Sequence, residues 1–336
     1  MSESVMSKVK SGCLFSVLIF MFTLFGFGLV TALLSGDLEL QVNERHQSGA
    51  QEGEGVALIE VSGVMARGGD GVGQGSGVTT PLLKMLKRAL DDKEVKGVLI
   101  RLNTPGGAVT DADLVYHAMS ALREAGKKVV LHMDDTCASG GYYASLAADE
   151  VWALPTTVTG SIGVIVSTLN VASLMERVGV RDVTLTSGAN KALLSPTRPV
   201  EEAHLAVLQE VVDVMYERFL SLLIERRGLT EEVARSLADG RVFVAKRALE
   251  HKLIDKVGYF EESLTSLKAL AKLPANAQVK RYSVPLGFWA SLSALSGAGE
   301  LNAQLSRAAL SATQAPQAFY LYAPQGLTAF LLRGLL

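Results

Sequence analysis

The chain has only two cysteines among 336 residues, Cys13 and Cys137. One sits inside an apolar run and the other far downstream, so no disulfide framework is outlined. It also lacks a field of either sign. Thirty-two lysines and arginines are intermixed with 34 acids for a net charge of −2, which removes the basic patch that nucleic-acid binding requires. No cluster of His, Cys or Asp has metal-ligand spacing, so no metal and no cofactor are expected. The Gly-rich stretch from Gly68 to Gly77 matches neither the dinucleotide nor the phosphate-loop pattern, and no helix opens directly at it. It is expected to be a lid or a subunit contact. No solenoid-type repeat is present.

Apolar material, by contrast, is abundant, at 49% of the residues. Leu14 to Leu34 forms a 21-residue run inside a charge-free stretch from Ser11 to Gly36, about the length that a hydrocarbon core of roughly 30 Å demands. Residues 12–36 therefore read as a transmembrane helix in contact with membrane lipid. Lys8 and Lys10 precede it and Asp37 and Glu39 follow. That bias places residues 1–11 in the cytoplasm and the body outside it. The alternative is a cleaved signal peptide, against which stand the length of the run and the lack of a small-x-small site after it.

Residues 37–54 are polar and rich in Gly, Gln and Glu, the composition of a flexible tether. From residue 55 short β-branched runs alternate with helix-length segments. Val56 to Val61, Val95 to Asn103, Lys128 to Met133, Val151 to Leu154 and Val183 to Thr186 read as strands. Pro81 to Leu90, Asp111 to Ala125, Ser139 to Ala148 and Val171 to Val178 read as helices. Nearly continuous apolar strands separated by helices define an α/β domain with a mainly parallel sheet, extending to about residue 199. A helical extension over 200–272 follows, led by Leu205, Leu208, Val212, Met215, Phe219, Leu222 and Leu223 at helical spacing. Thr230 is placed as an N-cap, and further helices are expected from Ala245 to His251 and from Phe260 to Lys272. Residues 286–336 form an apolar tail of unassigned role. Gly287, Gly297 and Pro316 interrupt it, which favours a peripheral tail over a second membrane span.

Ser139 follows a strand and opens a helix, and Gly140-Gly141 leaves backbone N–H groups free at that turn. Such a turn suits a nucleophile with an oxyanion donor at Gly140, although Ser-Gly-Gly is also an ordinary capped turn. A second glycine pair, Gly106-Gly107 in Asn103-Thr-Pro-Gly-Gly107, comes directly after another strand. Parallel sheets bind ligands beyond the carboxyl ends of their strands, so both turns are expected to face one crevice. Serine needs a base. Of the domain's histidines, His132 lies within a strand and His204 on a long amphipathic helix, and neither they nor His117 and His251 occupy a persuasive position. Lys191, in a loop flanked by Leu193 and Leu194, is the better candidate if desolvation holds it neutral, with a hydroxyl such as Ser161 to steer it. A solvated loop lysine is the ordinary alternative.

Asn103-Thr-Pro-Gly-Gly107, Cys137-Ala-Ser-Gly-Gly-Tyr-Tyr143, Thr159-Gly-Ser-Ile-Gly-Val164, Lys191 with Ser195-Pro196, and Asp239-Gly-Arg-Val-Phe243 before Leu253-Ile-Asp255 resemble, in this order, the signal peptide peptidase A family, the S49 serine peptidases. The resemblance covers residues 55 to 262. It implies a fold related to the Clp protease and crotonase enzymes and a Ser/Lys dyad, acting on apolar peptides such as released signal peptides. By motif, Ser139 resembles the nucleophile, Lys191 the general base and Ser161 the hydroxyl that orients the lysine, with Gly106, Gly107 and Gly140 as oxyanion donors. It further implies the short, single-domain form, a homo-oligomeric ring, and residence in the bacterial inner membrane. Whether Lys191 serves its own subunit or a neighbour is open. Two other functions fit part of the pattern: a catalytically silent peptide-binding membrane scaffold, and a crotonase-like acyl-CoA enzyme, which would not need Ser139 and Lys191.

Overall fold

The computed structural model describes residues 42–67 and 77–284, together with the backbone of 319–321. The expected membrane helix over 12–36, most of the Gly-rich loop and nearly all of the apolar tail lie outside the described residues. Among those described, no helix is long and apolar enough to cross a membrane.

In chain order the elements are β1 (Asn43–Ser48), β2 (Gly55–Ser62), α1 (Thr79–Asp91), β3 (Val95–Thr104), β4 (Gly106–Ala108), α2 (Val109–Glu124), β5 (Lys128–Ala138), α3 (Gly140–Ser145), β6 (Glu150–Ala153), β7 (Val158–Gly160) and α4 (Ala172–Arg177). A 3₁₀ turn at Ala189–Ala192 leads to α5 (Glu202–Arg227), α6 (Glu231–Leu237), β8 (Val242–Val244), α7 (Ala245–Glu250), β9 (Lys256–Val257), α8 (Phe260–Leu270), β10 (Gln278–Ser283) and β11 (Phe319–Leu321). The main sheet runs β1-β10-β2-β3-β5-β6-β9, and β7 pairs with both β5 and β8. Every pairing in it is parallel except β1 with β10 and β7 with β8.

The centre of the sheet is apolar on both faces because β2, β3 and β5 are crossed over by helices that cover them. Ala57, Ile59, Val98, Ile100, Val129 and Leu131 face one cluster with α1 and α2, whereas Val56, Leu58, Leu99 and Val130 face Leu267 of α8. Burial on two sides is what a run such as Val95–Leu102 requires. Expected strands and helices reappear within a few residues, with two exceptions. Val183 to Thr186 is not a strand: Val183 is 87% exposed and Leu185 96% exposed, without a ladder partner among the described residues. Ser139 to Ala148 shortens to the six-residue α3.

Several strands had no counterpart in the apolar pattern, β1 and β10 among them. Residues 43–48, expected within the tether, form the sheet edge as β1. Its neighbour β10 carries Lys280, which is only 8% exposed and lies 3.3, 2.7 and 3.0 Å from Asp92, Glu94 and Glu44. Three carboxylates compensate the buried ammonium, and Tyr282 donates its hydroxyl to Asp92.

His132 on β5 is fully buried, packs edge-on to Phe260 at 6.3 Å, and among the described residues has no hydrogen-bond partner at either ring nitrogen. Burial, aided by Arg101, depresses its pKa to about 4 from 6.5. A base with a depressed folded-state pKa binds its proton first in the unfolded chain. Stability on this account is complete above pH 6.5 and is lost as pH falls toward 4. His132→Leu is therefore expected to abolish a loss of about 3 kcal/mol between pH 7 and pH 4, read as the difference between urea unfolding curves of the two proteins at each pH.

Candidate active site

Three parallel strands end side by side. Thr104 of β3 pairs with Cys137 of β5, and Cys137 pairs with Thr159 of β7. Gly106, Ser139 and Ser161 each stand two residues beyond that row, so the topology brings both glycine turns and both serines to one carboxyl edge of the sheet. The row is tied by Thr159, whose hydroxyl donates to the Cys137 carbonyl at 2.6 Å. The Asn103 side chain also accepts from the Thr136 N–H at 3.2 Å.

Ser139 has φ 52° and ψ −112°, and Ser161 has φ 50°. A non-glycine residue at such an angle costs of order 1–3 kcal/mol and persists only where its surroundings impose it. Here they do. The Ser139 N–H donates to the Gly160 carbonyl at 2.7 Å, and the Ser139 carbonyl accepts from Tyr143 at 2.8 Å. Ser161 donates its N–H to the Arg241 carbonyl at 2.8 Å, and Gly240 donates to Ile162 at 3.1 Å. The Asp239–Arg241 turn, closed by the Asp239 carboxylate on the Arg241 N–H at 3.1 Å, is thus the brace behind Ser161. The Asp239-Gly-Arg sequence signals that turn, although its positioning role is visible only in three dimensions.

The glycines are needed for close approach. A Cβ on Gly107 would lie 2.0 Å from the Met65 carbonyl oxygen, and one on Gly140 would lie 3.3 Å from the Gly107 nitrogen. The loop after β2, the Gly106-Gly107 turn and the start of α3 are therefore packed backbone to backbone. Gly106, at φ 100°, donates its N–H to the Thr104 hydroxyl at 3.1 Å. That engagement leaves Gly107 and Gly140 as the better-placed backbone donors of the three glycines. Gly140 opens α3 and has no carbonyl one turn back within the helix to donate to.

Ser139 is 1% exposed, and among the described residues its hydroxyl is not engaged as a capping acceptor. Tyr142 and Tyr143 anchor the following turn against Phe219 of α5 at centroid distances of 6.4 and 5.0 Å. The Tyr142 hydroxyl donates to the Leu253 carbonyl, and burial pushes its pKa up to about 12. Cys137 is fully buried, and burial raises its thiol far above the usual range. It is packing material and not a rival nucleophile. The histidines fare no better as bases, because His132 is sealed in the core, while His204 Nε2 donates to the Ala189 carbonyl at 3.1 Å and so steadies the turn that carries Lys191. Among the described residues there is no cluster of acids, histidines and cysteines able to hold a metal ion.

Lys191 lies outside the strands and turns that form this edge, on the 3₁₀ turn Ala189–Ala192. It is exposed on its 3₁₀ turn, with no hydrogen bond or ion pair from its amine among the described residues. The surrounding arm, residues 165–200, and the first half of α5 are almost uncovered. Leu169, Leu174, Val178, Val183, Leu185, Val207, Val211 and Val214 are all exposed.

Residues 121–274 match the sequence model of Peptidase family S49. A Synechocystis sp. protein provisionally named a protease is 35% identical over 218 residues, 65% of this chain and 75% of its own length. An Enterococcus faecium protein provisionally named signal peptide peptidase SppA is 37% identical over 209 residues, and Protease 4 of Haemophilus influenzae is 30% identical over 232. Those two alignments cover 62% and 68% of this chain, but 61% and 37% of the relatives. A ClpP1 mutant from Listeria monocytogenes superposes with a TM-score of 0.41 at 15% identity, over 62% of this chain and 94% of that one. The chain is an α/β protein whose sheet edge gathers Ser139, Ser161 and the glycine turns. It belongs to peptidase family S49, with the SppA and Protease 4 proteins among its relatives.

Proposed function

We propose that this chain is a membrane-anchored serine endopeptidase that hydrolyses apolar peptides, such as released signal peptides, with Ser139 as nucleophile and Lys191 as base. The observation that carries the proposal is the strained Ser139 turn beside the Gly106-Gly107 and Gly140 backbone, with Ser161 on the same edge. Neutral Lys191 takes the Ser139 proton as Oγ attacks the peptide carbonyl. The N–H groups of Gly140 and of the Gly106-Gly107 turn receive the oxyanion, Lys191 protonates the leaving amine, and water then releases the acyl group by the same route. Ser161 holds the amine as an acceptor.

Exposure of Lys191 in one chain favours its delivery from a neighbouring subunit. An arm with this much uncovered apolar surface is a surface for association, and a head-to-tail contact repeated around an axis closes a ring. Burying the amine there removes the water that stabilises its charged form. Residues 12–36 would hold the ring in the inner membrane, with the sheet edge on the extracytoplasmic side. A serine-directed fluorophosphonate probe is expected to modify Ser139, located by peptide mapping of the assembled protein. An assembled protein left unmodified would favour the silent peptide-binding scaffold.

A further inference from the structure

Helix α3 has six residues, too few to hold its own direction, yet it follows directly on the strained Ser139 turn. Its bearings come from its two tyrosines. The Tyr142 hydroxyl donates to a backbone carbonyl, that of Leu253. Tyr143 is the residue bonded to Ser139 itself, its N–H donating to the Ser139 carbonyl at 2.8 Å. Its ring is fully buried, edge-on to Tyr116 of α2 at 5.7 Å and to Phe219 of α5 at 5.0 Å. Its hydroxyl donates to a side chain, the Asp113 carboxylate of α2, at 2.5 Å. The same Asp113 oxygen accepts from the Arg218 guanidinium of α5 at 3.1 Å. One carboxylate thus joins α2, α3 and α5, and Tyr143 links it to the Ser139 backbone.

We propose that Asp113 is a positioning residue for the hydrolysis: through Tyr143 it fixes the direction of α3, and with it the placement of the Ser139 hydroxyl, while Arg218 holds the carboxylate. The role rests on the assignment of the Ser139 edge as the peptidase site.

Folding stability does not account for the arrangement. The Asp113 and Arg218 side chains are 44% and 56% exposed, and an ion pair this open to water contributes little to folding. Its other end is different, because the phenol that Asp113 receives is sealed from water. Packing against two rings restrains that phenol sideways, and the directional hydrogen bond at its tip fixes how far along the slot it sits. Reacting atoms tolerate little error: a displacement on the order of 1 Å costs about a hundredfold in rate. A partial loss of fixation is therefore measurable in the chemical step.

Two substitutions in the full-length, assembled protein test this: Tyr143→Phe removes the hydroxyl and keeps the ring, and Asp113→Ala removes the acceptor. Each should lower kcat for an apolar peptide, and the rate of fluorophosphonate modification of Ser139, at least about fivefold with KM unchanged. The double variant should be no slower than the slower single one, since both changes cut the same link. Asp113→Asn, which keeps an acceptor oxygen, should restore at least about half of the wild-type rate. Amide exchange in the 139–146 segment should be faster in Tyr143→Phe and Asp113→Ala, read well below their melting temperatures so that local release is separated from unfolding. A lower melting temperature with unchanged kcat and unchanged exchange would make the network merely structural and overturn the proposal. A raised KM at constant kcat would move Asp113 to substrate binding and overturn it equally. Losses that add up in the double variant would show two separate effects and break the proposed link. Faster exchange with no hydrolysis by the wild type would keep Asp113 as the support of the Ser139 turn and remove the peptidase assignment instead.

Discussion

Ser139→Ala is expected to lower kcat for peptide hydrolysis at least about a thousandfold, while leaving thermal stability and KM nearly unchanged. The first half follows from chemistry: no other hydroxyl or thiol at this edge can replace it. Cys137 is sealed and its thiol is held protonated by burial, and Ser161 is committed by its backbone to the Arg241 turn. The second half follows from structure. Alanine keeps the Cβ and the φ of 52°, the Ser139 side chain makes no capping hydrogen bond, and removing one oxygen creates a negligible cavity. The melting temperature is therefore expected to change little. Rates of wild type and variant on one apolar peptide, with melting curves of both, separate loss of a nucleophile from loss of the fold. Hydrolysis persisting at more than a tenth of the wild-type rate would exclude Ser139 as the nucleophile.

The elements that carry this edge were legible because they are long, apolar and punctuated. Val95–Leu102 and Lys128–Met133 are runs that only a doubly covered sheet accommodates, and each ends in a glycine turn that the chain chemistry marks. The same holds for Thr230, whose hydroxyl caps α6 by accepting from Val233. What escaped the pattern has a physical cause in each case. Strand β4 consists of Gly106, Gly107 and Ala108, residues with no intrinsic strand preference, held among the described residues by Met65 and β11. Strands β7 and β8 have three residues each and are shorter than any periodicity can register. In β10 the alternation is masked by Lys280, whose burial depends on acids 186 to 236 positions earlier in the chain: Glu44, Asp92 and Glu94. Val183 to Thr186 erred the other way, since its β-branched run carries apolar surface but meets no strand among the described residues. Of the candidate site, the two glycine turns and the Ser139 turn were readable locally, whereas the brace from Asp239–Arg241 and the tail on Gly107 join residues that sequence keeps about 80 and 210 positions apart from their targets.

That uncovered apolar arm also bears on the base. Lys191→Ala alone is expected to reduce hydrolysis by a factor comparable to Ser139→Ala, because residues acting as a unit lose most of their effect when either is removed. The informative result comes from combining them. Suppose each site takes Ser139 from one subunit and Lys191 from the next. Coassembly of equal amounts of the two inactive variants then creates, at interfaces where a Lys191→Ala subunit receives the arm of a Ser139→Ala subunit, a complete dyad. Random mixing in a head-to-tail ring makes that about a quarter of all interfaces, so activity should return to about a quarter of the wild-type value after dissociation and reassembly. If both groups belong to the same subunit, every subunit is defective and no mixing ratio recovers activity. The exposure of Lys191 and of Val183 and Leu185 beside it favours the first outcome, since the surface that must be covered on assembly is the surface that carries the amine. Recovery would also fix which contact closes the ring, because the arm and the Ser139 edge would have to meet at every intact interface.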